Sequence, residues 1–269
     1  MGLKIMQFTK KPLLDVIFAS DKRKNVLLLL KSGPKEMGFI LNYLNTSRQA
    51  LLPQIRILEE HHLIDKQDDN YELTDIGKLI VDEMAPLLST LDVLDVDIDY
   101  WATRNLDFIP PHLLKRINEL GACERITPSI SEMYEIHDKF YEISRKSTSY
   151  FAITAAFFPN STKLLHELVS NNVHIYVIMS NDLFDKQRTN NDTGFKELVN
   201  SKFTHFFVYQ ENIDFISWMY NDYCIMMSPL RSDGGFDNKH FRCCNQNALI
   251  WARNFFEHYL NFSTPVTEM

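Results

Sequence analysis

Thr46, Ser47, Arg48 and Gln49 stand together immediately before an apolar series at helical spacing: Leu51 or Leu52, Ile55, Leu58 and Leu63. Ser47 is a good helix N-cap. Arg and Gln are the side chains that pair with guanine and adenine edges in the DNA major groove. Gln54 and Arg56 follow on the same helix and are expected to face phosphate. Asp65 to Gly77 then reads as a short polar hairpin followed by a Leu-Thr helix start. This places Lys66, Gln67 and Asn70 on a wing that leans on the DNA backbone or minor groove. The chemistry these residue types offer is the gripping and reading of double-stranded DNA.

Other chemistry has less to stand on. His137-Asp138-Lys139 has the form of the HxK of phospholipase D-like enzymes, but Ser144 occupies the place of the expected Asp, and no catalytic residue is assigned. Asp92, Asp95, Asp97 and Asp99 read as solvated helix charges rather than a metal site, because no His or Glu is placed to complete an oxygen cage. Cys123, Cys224, Cys243 and Cys244 are too few and too irregular for a disulfide framework, and they suit a reducing compartment. The Cys243-Cys244 pair, with His240 and Arg242 nearby, also admits a redox or metal sensor, the weaker of the two readings. Ser232 to Asp237 is a plain turn by its glycines. Among the aromatic residues between Phe203 and Tyr223, most are expected in the core, whereas Tyr209, Trp218 and Tyr220 are candidates to line a small-molecule effector pocket. No metal or cofactor is expected.

The elements that must position these groups follow from periodicity. Leu13, Leu14, Ile17 and Phe18, then Val26 to Leu30 behind Ser20-Asp21, predict two helical segments ended by Gly33-Pro34; Lys35 to Leu44 predicts a third. With the helix after Asn45-Thr46-Ser47 they make a helix-turn-helix core. Pro53 predicts a kink in that helix, or a start only near Leu52. Thr74 opens a further helix running towards Leu88, which Pro86 is expected to end or bend. Leu91, Leu94, Ile98 and Trp101 are helically spaced, and Ile109-Pro110-Pro111 breaks the chain. Beyond, Ser149 to Phe158 and Val173 to Met179 read as buried strands around a helix at Ser161 to Ser170, which predicts a parallel pair with a right-handed crossover. Strands are expected at Thr204 to Tyr209, Phe215 to Tyr220 and Tyr223 to Met227, a short helix at Phe195 to Asn200, and a closing helix at Leu249 to Leu260.

The 269 residues suit two or three domains, and 45% hydrophobic with 23% charged residues is ordinary globular composition. No apolar run is long enough to span a bilayer and the N-terminus lacks a secretory signal, so a soluble, cytoplasmic protein without a membrane partner is expected. The net charge of -7 is divided unevenly: residues 1–66 hold 11 Lys/Arg against 6 Asp/Glu, leaving a strongly acidic remainder. That asymmetry suggests a basic head for phosphate on an acidic body.

Three further patterns carry a resemblance. Leu91-Asp92-Val93-Leu94 continues to Tyr100-Trp101-Ala102-Thr103-Arg104-Asn105-Leu106-Asp107-Phe108-Ile109-Pro110 and Leu113 to Gly121; Gly234-Gly235-Phe236-Asp237 follows Met227-Ser228-Pro229-Leu230; and Ala248 to Tyr259 closes the series. With the wing and the helix before it, residues 10–262 resemble the archaeal filament-regulator family of methanogens, ArsR-like winged helix-turn-helix transcription regulators. The resemblance implies an α+β and α/β fold: a DNA-binding winged helix-turn-helix domain at residues 10–85, a helical linker or dimerisation region at 86–145, and a C-terminal α/β regulatory domain at 146–262, for which it names no effector. The reading is a homodimeric, sequence-specific DNA-binding regulator controlled by a ligand or partner, and not an enzyme. The alternative is a winged-helix protein-interaction module that does not bind DNA.

Overall fold

Ser20 is extended and stands between Leu13–Phe18 (α1) and Asp21–Leu30 (α2), whose Val16, Ile17, Val26, Leu27 and Leu30 turn inward. In this computed structural model, which describes residues 11–129, 138–190 and 192–267, the chain divides into two compact units, Met1–Leu88 and Ser89–Met269. In the first, Lys35–Glu36 (β1) leads into Met37–Tyr43 (α3), and Arg48–Glu60 (α4) follows after a tight turn. Ile64–Gln67 (β2) and Asn70–Leu73 (β3) form an antiparallel hairpin, with β1 on the far side of β3. Asp75–Asp95 (α5) comes next. Ile40, Leu51, Ile55, Leu58, Leu63 and Val81 close one core beneath these elements. This is the helix-turn-helix and hairpin order expected from the sequence.

The two prolines neither delay nor end their helices, so α4 starts at Arg48 rather than near Leu52 and α5 runs past Pro86. Pro53 and Pro86 both lie inside continuous helices, α4 and α5. Pro53 removes one backbone donor, but it is the sixth residue of α4 and exposed, so the carbonyl left without a partner belongs to the solvated first turn.

In the second unit, Ile98–Ala102 (α6), Pro111–Leu114 (α7) and a 3-10 turn at Ile117–Leu120 lead to Cys123–Ile126 (β4). Asp138–Ser144 (α8) precedes a β-α-β run: Ser149–Thr154 (β5), Ser161–Ser170 (α9) and His174–Met179 (β6). Asn181–Asn190 (α10), Thr193–Val199 (α11), Thr204–Tyr209 (β7), Phe215–Asn221 (β8), Ile225–Pro229 (β9) and His240–Cys243 (β10) follow. Gln246–Leu260 (α12) and Ser263–Pro265 (β11) end the series. Among the described residues the strands of this unit form one mixed sheet in the order β11-β7-β6-β5-β8-β9-β10-β4, with β5 and β6 parallel as the crossover pattern predicts and β7 parallel to β6 as well. The other pairings are antiparallel.

The three sequence patterns of the resemblance meet in this unit's core. Arg104 donates to both carboxylate oxygens of Asp237 at 2.9 and 2.6 Å, joining the first pattern to the second, and the Arg104 side chain is 1% exposed. Trp251 donates from Nε1 to the Leu113 carbonyl at 3.0 Å, and the Tyr259 hydroxyl donates to that of Phe108 at 2.8 Å, which brings in the third. The segment expected as a separate linker therefore supplies Val93, Trp101, Phe108, Leu113 and Leu120 to the same cluster as Trp218, Trp251 and Phe255. The 232–237 turn is held in place by the Arg104 pair and by Ser232 N–H donating to Thr103 O.

The cysteines depart most from expectation. Cys123 is bonded to Cys243 and Cys224 to Cys244, so none of the four is free. Cys123 and Cys243 are register partners across β4 and β10, and Cys224 and Cys244 continue the β9–β10 register by one residue. Spacing along the chain does not reveal this, because the pairing is set by strands that are 120 residues apart for the first bond. The paired cysteines leave no thiol for the sensor reading, and among the described residues no cluster of His, Cys, Asp and Glu is placed to hold a metal.

Candidate nucleic-acid interface

The turn into α4 is built on Asn45, which adopts φ +45°, a left-handed conformation that Asn tolerates better than most residues. Thr46 N–H donates to Leu41 O at 3.1 Å and closes the turn. Ser47 is extended, and its hydroxyl accepts from Ala50 N–H at 3.3 Å, the N-cap the sequence indicated. Leu51, Ile55 and Leu58 anchor the inner face of α4, so Ser47, Arg48, Gln49 and Arg56 all lie in solvent and Thr46 is half-buried. The first turn of a helix also presents unpaired N–H groups and the positive end of its dipole, an arrangement suited to anions.

Gln54 differs from expectation. Its Oε1 accepts from Arg23 Nη1 at 2.6 Å, and the same guanidinium donates to the Val16 and Asp15 carbonyls. Arg23 thus clamps α1, α2 and α4 together, and Gln54 serves to orient α4. No local pattern reveals this, since the partners are 31 residues apart.

The wing is positioned by Thr74 and Gly77. Thr74 Oγ1 donates to His62 O at 2.6 Å and accepts from Gly77 N–H at 3.0 Å. A Cβ on Gly77 would come within 2.0 Å of the Leu63 carbonyl oxygen, so only glycine permits this approach of α5 to the strand entry. Gln67 and Asn70 pair across the two-residue tip Asp68-Asp69, with Asp68 at φ +54°. Lys66 lies 5.8 Å from the centre of the Tyr71 ring. Burial pushes the Tyr71 phenol up, Glu59 adds to this and Arg48 opposes it, which places the first turn of α4 electrostatically beside the wing. Lys66, Gln67 and Asn70 are exposed as expected, but so are Asp65, Asp68 and Asp69. Over Met1–Leu88 there are twelve Lys/Arg and twelve Asp/Glu. The basic excess is confined to the part before the wing tip, and the wing itself is acidic.

The residues expected to line an effector pocket do not line one together. Trp218 is wholly buried against Tyr220 and Phe255. Tyr209 packs on Tyr259, with its hydroxyl 3.5 Å from Glu211. Tyr220, also largely buried, alone borders an open cavity, of about 460 Å³. A second, apolar cavity of about 30 Å³ lies at the C-terminal end of β5, beside Thr154 and Ser217. His137 lies outside the described residues. Ser144 is buried, donating to Phe140 O and accepting from Asn221 Nδ2, both at 2.9 Å, so it serves the fold. Asp97 caps α6 by accepting from Tyr100 N–H and pairs with Arg125, while Asp92, Asp95 and Asp99 are solvated. No described helix is long and apolar enough to cross a membrane.

Comparison with known proteins matches two family models along the chain. The family model for the N-terminal domain of the methanogenesis regulatory protein FilR1 matches residues 11–92, and that for its middle domain matches residues 133–261. The chain belongs to the FilR1 regulatory protein family. FilR1 of Methanothrix harundinacea (strain 6Ac) is 23% identical over 257 residues, which are 94% of this chain and 58% of that protein. The chain thus spans little more than half the length of this relative. Among solved structures, TrmBL2, described as an archaeal chromatin protein with a novel mode of DNA binding, aligns with TM-score 0.43 at 10% identity, covering 94% of this chain and 97% of its own. The phospholipase D family member Nuc of Salmonella typhimurium aligns with TM-score 0.33 at 14% identity, covering 48% of this chain and 89% of its own. Likenesses this distant carry no functional argument.

Proposed function

We propose that this FilR1-family chain is a transcription regulator that binds double-stranded DNA through an ArsR-like winged helix-turn-helix in the first unit. The observation that carries the reading is the first turn of α4: capped by Ser47, anchored from behind by Leu51 and Ile55, and presenting Arg48 and Gln49 to solvent. Arg48 reads guanine and Gln49 adenine, and Thr46, Ser47 and Arg56 hold phosphate. Gln54 positions the helix through Arg23. Because the wing is acidic, Lys66, Gln67 and Asn70 contribute a smaller backbone contact than the helix does.

The same proposal makes the protein a homodimer. Ile76, Leu79 and Leu87 on α5 are 53%, 67% and 53% exposed, and Leu14 on α1 is 69% exposed, which supports a buried role for these faces in a second copy. The second unit is the part that responds to a small effector or partner, shifting the pair between DNA-competent and incompetent arrangements. The relative's name makes genes of methanogenesis the first candidates for control. Recovery of genomic fragments bound by the full chain tests the reading: enrichment of palindromic sites is expected, and no enrichment over bulk DNA would overturn it.

The neutral charge of the first unit and the carboxylates at the wing tip favour a second reading, a winged-helix module that recruits protein. Counterion release separates the two, because phosphate contacts make affinity fall steeply with salt.

A further inference from the structure

The cavity beside Tyr220 has the makings of a binding site. It encloses about 460 Å³ between the first half of α12 and the sheet edge where β5 begins and β8 ends. Small-ligand sites commonly occupy ~300–1,000 Å³. Phe151 and Tyr220 line the cavity, and they are the end of an aromatic row that runs on across four strands away from it. Tyr220 stacks on Phe151 at 4.4 Å, Phe151 on Tyr176 at 4.8 Å, and Tyr176 on His205 at 4.7 Å, with the first two pairs within 10° of parallel. Phe151 and Leu249 are only half-buried, and Ile250 on the wall is 49% exposed. These apolar side chains form one patch in a lining that is otherwise polar, and the patch is in contact with water, where covering it is favourable.

Two charged side chains reach the cavity, and they are not equivalent. Asp222 is committed to the protein: its Oδ2 accepts from Thr148 N–H at 2.6 Å and from the Thr148 hydroxyl at 2.8 Å. Arg253 is exposed, lies beside the Tyr220 hydroxyl, and makes no ion pair among the described residues. Gln246, two turns earlier on the same face of α12, adds amide donors to the same wall. The available charge is therefore positive, in the fork geometry that matches a carboxylate.

We propose that this cavity binds a small organic carboxylate with an apolar or aromatic body. Arg253 takes the carboxylate with help from Gln246, and the body lies against Phe151, Leu249 and Ile250. The inference rests on the reading of the second unit as the effector-responsive part and gives that effector a chemical class.

Benzoate is a suitable probe, titrated into the full chain without DNA and followed by calorimetry and by the fluorescence of Trp218, whose ring lies 5.2 Å from that of Tyr220. Saturable binding is expected with a dissociation constant on the order of 1 mM, as befits so small a ligand. Arg253→Gln, an exposed position whose change leaves the thermal transition in place, weakens it about tenfold or more. Ile250→Ser weakens it severalfold, and benzylamine, benzyl alcohol and inorganic phosphate each bind at least about tenfold less tightly than benzoate. The proposal is overturned if benzoate does not saturate, if Arg253→Gln binds it as well as the native chain, or if benzylamine or phosphate equals it. DNA binding is measured on the same preparation separately, so a chain that binds DNA but not benzoate loses the cavity and keeps the head. A chain that binds benzoate but not DNA does the reverse.

Discussion

The first unit leaves its candidate functional side chains in water, whereas the second places its most distinctive sequence patterns in the core. Arg48, Gln49 and Arg56 are exposed, and the packing behind them comes from ordinary aliphatic residues such as Leu51 and Leu58. Arg104, Asp237, Trp251 and Tyr259, the residues of the more specific patterns, bind one another or nearby carbonyls inside the second unit. A pattern that marks a family can therefore report how a core is held rather than what the protein touches. Substitutions in the second set are expected to change stability, and those in the first to change binding.

The largest effect concerns the disulfides of the second unit. In the loop-entropy account, opening the bond that closes 120 residues costs about 5 kcal/mol and the one that closes 20 costs about 3 kcal/mol. Cys123→Ser should thus destabilise the second unit more than Cys224→Ser in urea unfolding, while the first unit's transition stays where it was. Equal effects, or a shift of both transitions, would remove the distinction between the units. Next comes Arg104→Ala, which leaves the partly buried Asp237 carboxylate only Lys239, with Nζ 3.6 Å and N–H 3.3 Å away, and costs about 3 kcal/mol, the low end for breaking a buried pair. Burial pushes this carboxyl up, but the hydrogen bonds and charge of Arg104, and then those of Lys239, outweigh it and hold it below the usual range. Replacing both partners with apolar residues of similar size should cost less than Arg104→Ala alone.

A smaller effect is expected from His258. Burial lowers its affinity for a proton, as does the neighbouring His112, against an opposing pull from Glu211. With the folded value below the ordinary 6.5, the unfolded chain binds the proton more readily, so stability declines as pH falls through that range and is full above it. Thermal melts between about pH 5 and 8 should show this slope flattened in His258→Gln; an unchanged slope would assign it to other groups.

Much of this fold was legible in the chain, for reasons that differ by element. The helix Ser161–Ser170 and the strand Thr204–Tyr209 announce themselves because their burial periods are local, and Ser47 because an N-cap acts three residues away. Strands β4 and β10 do not, since Cys123–Ile126 and His240–Cys243 are four residues each, with charges at Glu124, Arg125 and Arg242, and pair with each other across more than a hundred residues, although β10 also pairs with the nearby β9. The Cys123–Cys243 disulfide and the Arg104 pair, 120 and 133 residues across, were hidden for the same reason. Among the candidate site residues, exposure at Arg48 and Gln49 follows from the apolar face behind them. The tie from Arg23 to Gln54, and the burial of Trp218 and Tyr209 away from the cavity that Tyr220 borders, depend on tertiary neighbours that no spacing encodes.

The most direct measurement is a salt-dependent titration of labelled operator DNA, selected from bound genomic fragments, with the native chain and with Arg48→Ala. The account predicts that affinity falls linearly on a log–log plot against salt, and that Arg48→Ala costs about 1–3 kcal/mol and relaxes preference at one base pair while both unfolding transitions remain in place. Affinity independent of salt, or an Arg48→Ala chain that binds the same sequences equally well, would contradict it.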